Sequence, residues 1–239
     1  MKPMKSTHVK FVIDKKLDIE NHLIGLRSYK QKLHSYYNQK KNSKNERYEK
    51  LLKLSGKKRK DFIRKELVDV YSPKNKKKLE EIKNDAQKYW DKIEKDFFSR
   101  IQKVFGKPFP YQTVRGVFST ANRFGYNTGK RWFATSIDRN KFFAIETAMH
   151  ELTHFVFHYY FWKQCEKYGL SWKQIWNIKE AFTVLLNLEF ADLRLRLDYG
   201  YPEHKEIRNF IAKEWKKDKN FEKVLDKTCK FVASNKNNR

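Results

Sequence analysis

Between Phe142 and Tyr160 the chain places apolar side chains on more than one face of a helix. A surface helix has a single apolar stripe, so this pattern predicts a helix that is largely buried by the rest of the fold. The apolar positions are Phe142, Phe143, Ala144, Ile145, Met149, Leu152, Phe155, Val156, Tyr159 and Tyr160. Polar residues inside such a helix need a reason to be kept there.

The polar residues of this segment include His150, Glu151 and His154, in the pattern His-Glu-x-x-His. Four residues are about one helical turn, so both imidazoles project from one face and can bind one tetrahedral Zn²⁺. Glu151 is placed to accept a proton from a water that the ion activates. The alternative, polar residues on the solvent face of an ordinary helix, is disfavoured by the apolar flanks. The sequence therefore predicts one zinc ion per chain.

A zinc hydrolase needs a third protein ligand, and Glu180 is the leading candidate. It lies near the start of the next predicted helix, Ile178 to Leu197, where a helix–turn–helix return can bring it opposite the two histidines. The rivals Glu189 and Asp192 fall on other faces of that helix. The alternative for Glu180 itself is an acid in the first helical turn, favoured there by the helix dipole.

A third histidine, His158, continues the four-residue spacing. On a straight helix it lies about 12 Å from His150 along the axis, so the three imidazoles cannot share one ion. We expect His158 to pack or to line the cleft. Glu146, one turn before His150, has two interpretations of equal weight: an orienting partner of the imidazole or a solvated acid.

Further side chains are expected to orient the ligands or to stabilise an oxyanion. Thr183 and Asn187 share the predicted helical face of Glu180 and are candidates for the first task. Candidates for the electrophile follow that helix, with surface exposure or packing as the alternative for each; they are Tyr199, Tyr201 and His204.

The motif His150-Glu151-x-x-His154 followed by Glu180 resembles the zincin metallopeptidases, in particular the gluzincins, whose third ligand is a glutamate. The resemblance implies a zinc-dependent peptidase with His150, His154 and Glu180 as ligands and Glu151 as general base. It also implies a peptide or protein substrate that pairs antiparallel with an edge strand upstream of the motif helix. Arg131 to Ile137 is in the place of that strand.

Two positions depart from the resemblance. Gluzincins often carry an acid four residues after the third ligand, which braces the first histidine; here that position is Val184. Similar cytoplasmic metallopeptidases that regulate phage and stress-response genes have a glycine where this chain has Thr153. The resemblance covers about Arg131 to Asp198 and leaves the subfamily open.

The expected fold class is α+β and predominantly helical. A zincin-like core would pack a small antiparallel sheet on the motif helix and on the second ligand-bearing helix. Thr113 to Phe124 and Arg131 to Ile137 flank a turn sequence at 125–129, which predicts a β-hairpin. We expect two regions, a basic helical part at 1–110 that serves as a lid or binds a partner, and the metallopeptidase core at 111–239.

Within the first region, Val9 to Ile13 predicts a short strand. Asp18 is the predicted N-cap of a helix that runs to about Asn38. Ser72 and Pro73 predict the start of a long amphipathic helix, and Gly106 predicts its end.

The formal net charge of +26 is the main argument for another class of function. A basic nucleic-acid-binding or regulatory protein with a structural or vestigial metal site would use Lys57–Lys60 and Lys76–Lys78 to contact phosphates. However, Asp138 to Asp198 contains eight basic and eight acidic residues, so the charge avoids the candidate site. A lysine-rich bias on solvated helix faces accounts for most of it.

The remaining composition narrows the class of protein. No run of 18 apolar residues is present, so we expect no membrane-spanning helix. The chain has 2 cysteines, too few for a disulfide framework or a cysteine-rich metal site. The expected location is cytoplasmic.

Overall fold

A computed structural model describes residues 7–33, 43–194 and 196–235 of the chain. Its residues form two compact units. The first unit contains Met1–Val9, Tyr89–Thr113 and Ile145–Arg239, and the second contains Lys10–Lys88 and Val114–Ala144. Each unit draws on both sides of residue 110, so this grouping differs from the predicted division into 1–110 and 111–239.

The described chain is mostly helical, with a small four-stranded mixed sheet. The strands are β1 (His8–Val12), β2 (Thr113–Ser119), β3 (Tyr126–Asn127) and β4 (Trp132–Ser136). The helices before β2 are α1 (Lys15–Leu33), α2 (Ser43–Leu52), α3 (Gly56–Glu66) and α4 (Lys76–Phe105). Those after β4 are α5 (Lys141–Tyr160), α6 (Trp162–Glu166), α7 (Trp172–Ala181), α8 (Val184–Glu189), α9 (Lys205–Lys217) and α10 (Phe221–Ser234). The expected α+β class with predominant helix is confirmed.

The predicted β-hairpin between β2 and β4 is wrong. These two strands are parallel, with Arg115 opposite Trp132 and Ser119 opposite Ser136. The antiparallel partner of β4 is the two-residue β3, and the strand order is β1-β2-β4-β3. Parallel neighbours need a connection of about a dozen residues or more, and 120–131 provides it. The sheet is therefore mixed rather than antiparallel.

The prediction that Arg131 to Ile137 forms an open edge is also wrong for most of the strand. β4 pairs with β2 along its full length. On its other side Trp132 and Phe133 pair with β3, and the Ala134 amide donates to the Gly125 carbonyl at 2.8 Å. Only the end of β4 extends beyond β3, which leaves little main chain for a peptide to pair with.

Helix α1 begins one turn earlier than predicted, because its first amides are capped by Asp14 rather than by Asp18. The Asp14 carboxylate accepts hydrogen bonds from the amides of Lys16 at 2.9 Å and Leu17 at 3.1 Å. The helix is described as far as Leu33, and the predicted end near Asn38 lies outside the described residues. The prediction of Asp18 as N-cap is therefore wrong.

Asp18 is instead a fully buried carboxylate that joins parts of the second unit distant in sequence. It accepts hydrogen bonds from the Tyr71 hydroxyl at 2.9 Å and from the Thr120 hydroxyl at 2.8 Å. The Thr120 amide, at 3.1 Å, and the Ser119 hydroxyl also donate hydrogen bonds to it. Each carboxylate oxygen thus has two donors, which offsets the cost of burying a charge.

The long amphipathic helix is confirmed as α4. A 3₁₀ turn at Pro73–Asn75 leads directly into it, and it ends before Gly106, whose φ of 65° suits a glycine. The Ser72 hydroxyl donates to the Asp69 carbonyl at 2.7 Å and makes no capping hydrogen bond to the helix. No helix in the described ranges is long and apolar enough to cross a membrane.

The single helix predicted for Ile178 to Leu197 is wrong, because two shorter helices, with a break between them, lie here instead. The first, α7, begins after Ser171, whose side chain forms a reciprocal capping box with Gln174. It ends at Ala181, and α8 covers Val184–Glu189. Glu180 therefore lies in the last turn of a helix, and the first-turn explanation of its position does not apply.

We predict that Asp18→Ala lowers the free energy of unfolding by about 3 kcal/mol, because it leaves buried hydroxyl donors without an acceptor. Urea denaturation measures the loss. The matched control is Asp61→Ala, which changes a half-exposed aspartate of α3 paired with Arg64, and for which the expected loss is below about 0.5 kcal/mol. Equal stability of the two variants would contradict the role assigned to Asp18.

Candidate metal centre

His150 and His154 lie one turn apart on the same side of α5. Their ring centroids are 4.5 Å apart, with the ring planes at 80°. The residues around them are almost fully buried, with Met149 and Leu152 at 0% exposure. The motif is therefore held in the core of the first unit, as the apolar pattern of the helix predicts.

Glu180 meets both histidines from α7. Its Oε2 atom is 3.4 Å from Nε2 of His150 and 3.3 Å from Nε2 of His154. Two ligands at zinc-binding distance and a tetrahedral angle are separated by about 3.3 Å. The structure thus brings together the three residues that the sequence proposes as ligands, with ligand atoms within 4.8 Å of one another.

The donor set also fits a catalytic zinc ion. Two imidazole nitrogens and one carboxylate oxygen are ligands that zinc prefers, and a set of three leaves one tetrahedral position for a water or substrate. Beside them Glu151 is buried, and its Oε2 has no hydrogen-bond partner among the described residues. A buried carboxylate oxygen without a partner indicates a site that is completed by something other than the chain.

Burial raises the pKa of Glu151 to about 7, against the opposing charges of His150 and Lys179. Burial lowers the pKa of His154 to about 3, so this imidazole is neutral at neutral pH, the form that can bind a metal. A carboxylate with a pKa near the working pH is suited to accept and return a proton. The two neighbouring groups therefore have the protonation behaviour that their proposed roles require.

Asp198 is the main functional candidate that sequence reasoning missed. Its Oδ2 is 2.8 Å from Nδ1 of His150, so it fixes the ring with Nε2 directed towards Glu180. Burial acts to lower the pKa of His150, but the hydrogen bonds to Asp198 and Glu180 raise it to about 10. Burial acts to raise the pKa of Asp198, but His150 and the charge of Arg208 lower it to about 2.

Thr183 and Asn187 lie beside the site, as predicted, and both form hydrogen bonds with Asp198. The Asn187 side chain donates to the Asp198 carbonyl at 2.8 Å and accepts from its amide at 2.7 Å. The Thr183 hydroxyl is 3.1 Å from Oδ1 of Asp198, and Nη1 of Arg208 is 3.2 Å from the same oxygen. Together with His150, these three side chains hold Asp198 in place, and Asp198 is the acid that pairs with His150 in a chain that has a valine at position 184.

The sequence offers little signal for Asp198. It follows the 3₁₀ turn Ala191–Leu193 in an irregular segment with no periodic pattern, and its partner His150 is distant in sequence. Contacts of Asp198 with Asn187 of α8 and with Arg208 of α9 hold its carboxylate beside the imidazole.

The three electrophile candidates lie in different environments. Tyr199 is 81% exposed and Tyr201 is 51% exposed. Tyr201 and Trp176 both contact the ring of His204, which is buried and 3.2 Å from Oδ1 of Asn177. Burial lowers the pKa of His204, so it is neutral at neutral pH. An oxyanion role for any of them stays a prediction.

The remaining acids and the third histidine have other partners. Glu189 accepts from Trp215 at 2.8 Å, and Asp192 pairs with Arg100. Glu146 pairs with Arg196. His158 stacks on Trp162 with ring centroids 4.7 Å apart, and burial lowers its pKa to about 4. His158 therefore has a packing role, one of the two that its spacing predicts.

Comparisons of the chain with models of protein families, with curated proteins and with solved structures found no match. The interpretation of the site therefore depends on its own geometry and chemistry.

The pKa of His150 leads to a prediction for the metal-free protein. A raised pKa contributes stability that is fully present below about pH 6.5 and is lost as the pH rises towards 10. Between about pH 7 and pH 9 we expect the free energy of unfolding to fall by about 2 kcal/mol more than in His150→Gln. Urea denaturation in a chelator measures both profiles, and parallel profiles would contradict the assignment.

The bracing role of Asp198 leads to a second prediction. Asp198→Ala releases the His150 ring, and we expect the dissociation constant for added zinc to rise by about 10- to 100-fold. Competition with a chromophoric chelator measures it. Asp192→Ala, which removes an exposed aspartate of the same unit, is the control and should leave zinc affinity unchanged. An Asp198→Ala protein with the affinity of the control would exclude the bracing role.

Proposed function

We propose that this chain is a zinc-dependent peptidase of the gluzincin type. The observation that carries the proposal is the approach of a single Glu180 oxygen to the Nε2 atoms of His150 and His154, at 3.4 and 3.3 Å. The largely buried helix α5 keeps His150, Glu151 and His154 at a cost that a metal site explains. The resemblance of the motif to zincins supports the same conclusion.

The ion assigned to this site would lower the pKa of a coordinated water and polarise a peptide carbonyl. His150, His154 and Glu180 would hold it. Asp198 keeps the His150 ring in one orientation, and Arg208 together with Asn187 keeps Asp198 in place. The chain therefore supplies rigid ligands, which is the condition for an open fourth position.

Glu151 is the proton-transfer residue of the proposal. Its carboxylate accepts a proton from the attacking water and delivers it to the leaving amine of the substrate. Its pKa of about 7 supports both steps, since the group can be charged for the first and protonated for the second at neutral pH. The substrate is a peptide or protein, and pairing of β4 with β2 and β3 removes the reason to assign Arg131 to Ile137 to its binding.

The nucleic-acid alternative has weaker support from the side chains. Lys57 and Lys60 are exposed in α3, and Lys76–Lys78 are exposed at the start of α4. Arg59, however, donates from Nε to the Leu51 carbonyl and from Nη2 to the Leu54 carbonyl, both at 2.8 Å. The Arg59 guanidinium therefore binds carbonyls at the end of α2 and is not directed at a phosphate. Nucleic-acid binding through the lysines would weaken steeply with salt.

Glu151→Gln provides the direct test of the peptidase proposal. Glutamine keeps the shape of the side chain but cannot accept the proton, so we expect zinc content to stay near one ion per chain. Peptide hydrolysis should fall by at least about 100-fold. Metal analysis and cleavage of a mixed peptide library measure the two quantities.

The matched control is Glu166→Gln, which changes an exposed glutamate of α6 in the same way and should keep both zinc and activity. Hydrolysis that persists in the chelator-treated, metal-free wild type would overturn the mechanism. A wild-type protein that binds no zinc would overturn the proposal as a whole.

A further inference from the structure

Lys179, the residue before the third ligand, is fully buried in α7. Its Nζ is 2.7 Å from Oε1 of Glu180 and 5.5 Å from the centroid of the Trp176 ring. Adjacent residues on a helix project in different directions, so this pairing requires the long lysine side chain to bend towards its neighbour. The ammonium thus lies against both the carboxylate and the aromatic ring.

The two oxygens of Glu180 have different partners. Oε1 is bound by the Lys179 ammonium at 2.7 Å. Oε2 is the atom that lies 3.4 and 3.3 Å from the histidine nitrogens. A charge-assisted hydrogen bond of this length in a buried site is strong, so it fixes the carboxylate plane and occupies one oxygen. Oε2 is therefore the oxygen that is presented to an ion between the histidines.

We infer that Lys179 is a positioning residue that restricts Glu180 to binding the metal through one oxygen. The inference rests on the proposed metal site. A carboxylate that can turn freely is able to bind through both oxygens, which would fill the coordination position that a hydrolytic zinc site keeps open. Lys179 would prevent this, because its ammonium binds Oε1.

A simpler role for Lys179, neutralising a buried acid, makes a different prediction. A neutralising cation would affect stability but would not determine how many carboxylate oxygens reach the metal. The coordination number of the bound ion therefore separates the two roles. Cobalt(II) is a suitable probe, because its visible absorption is intense in four-coordinate sites and weaker in five-coordinate ones, so the spectrum reports geometry.

The experiment compares wild type, Lys179→Met and the control Lys173→Met. Met keeps the apolar stem of the lysine without the ammonium, and Lys173 is an exposed lysine of the same helix. Each metal-free protein is titrated with cobalt(II) chloride. We expect intense bands for wild type and control, and weaker five-coordinate bands for Lys179→Met.

Zinc affinity provides a second measurement on the same proteins. Lys179→Met removes a positive charge close to the ion, so zinc should bind about tenfold more tightly or better than in wild type. Weaker binding than in wild type would mean that Oε1 does not join the metal when the ammonium is removed, and would overturn the inference. The melting temperature with and without zinc follows the same change, and the rise caused by zinc should be larger in Lys179→Met.

Lys179→Gln is the second variant if Lys179→Met does not fold, since its shorter side chain also fails to reach Oε1 but is polar. Bands in the folded variant as intense as those of wild type would overturn the inference and leave the metal site standing. A wild type that binds no cobalt and no zinc would overturn the proposed function, and the inference with it.

Discussion

The buried carboxylate of Glu180 is the group on which the first unit depends. An anion removed from water is tolerated only with charged or hydrogen-bonding partners, and Glu180 has Lys179 on one oxygen and two imidazoles on the other. His150 in turn pairs with Asp198, and Asp198 with Arg208. Basic and acidic groups alternate along this chain of contacts, so each member stabilises the next and restricts its orientation.

The second unit contains a buried carboxylate of a different kind. Both oxygens of Asp18 are satisfied by hydroxyl and amide donors from Tyr71, Ser119 and Thr120. An acid whose oxygens are both hydrogen-bonded within the chain has a structural role, here to hold distant segments of the sequence together. Glu151, by contrast, is buried with an oxygen that has no partner among the described residues. This difference, rather than burial alone, separates a structural acid from a candidate catalytic one.

Elements with a strong local signal were predictable from the sequence. The periodicity of α4 and α5 and the glycine at 106 act within a few residues, and each is found in the structure. Errors arose where partners distant in sequence decide the outcome. The pairing of β4 with β2 overrides the turn signal between them, and the break after Ala181 interrupts a continuous apolar pattern.

The sequence by itself identified the residues of the candidate site: two histidines and a glutamate on one buried helix, with a glutamate further along the chain as the candidate third ligand. Spacing along a helix fixes which side chains share a face, so the motif can be recognised without knowing the fold. Only the tertiary structure decided how the site is braced. Asp198 reaches His150 through an irregular segment, and Lys179 bends onto Glu180. Such contacts depend on long-range packing and side-chain rotamers, which no local pattern encodes.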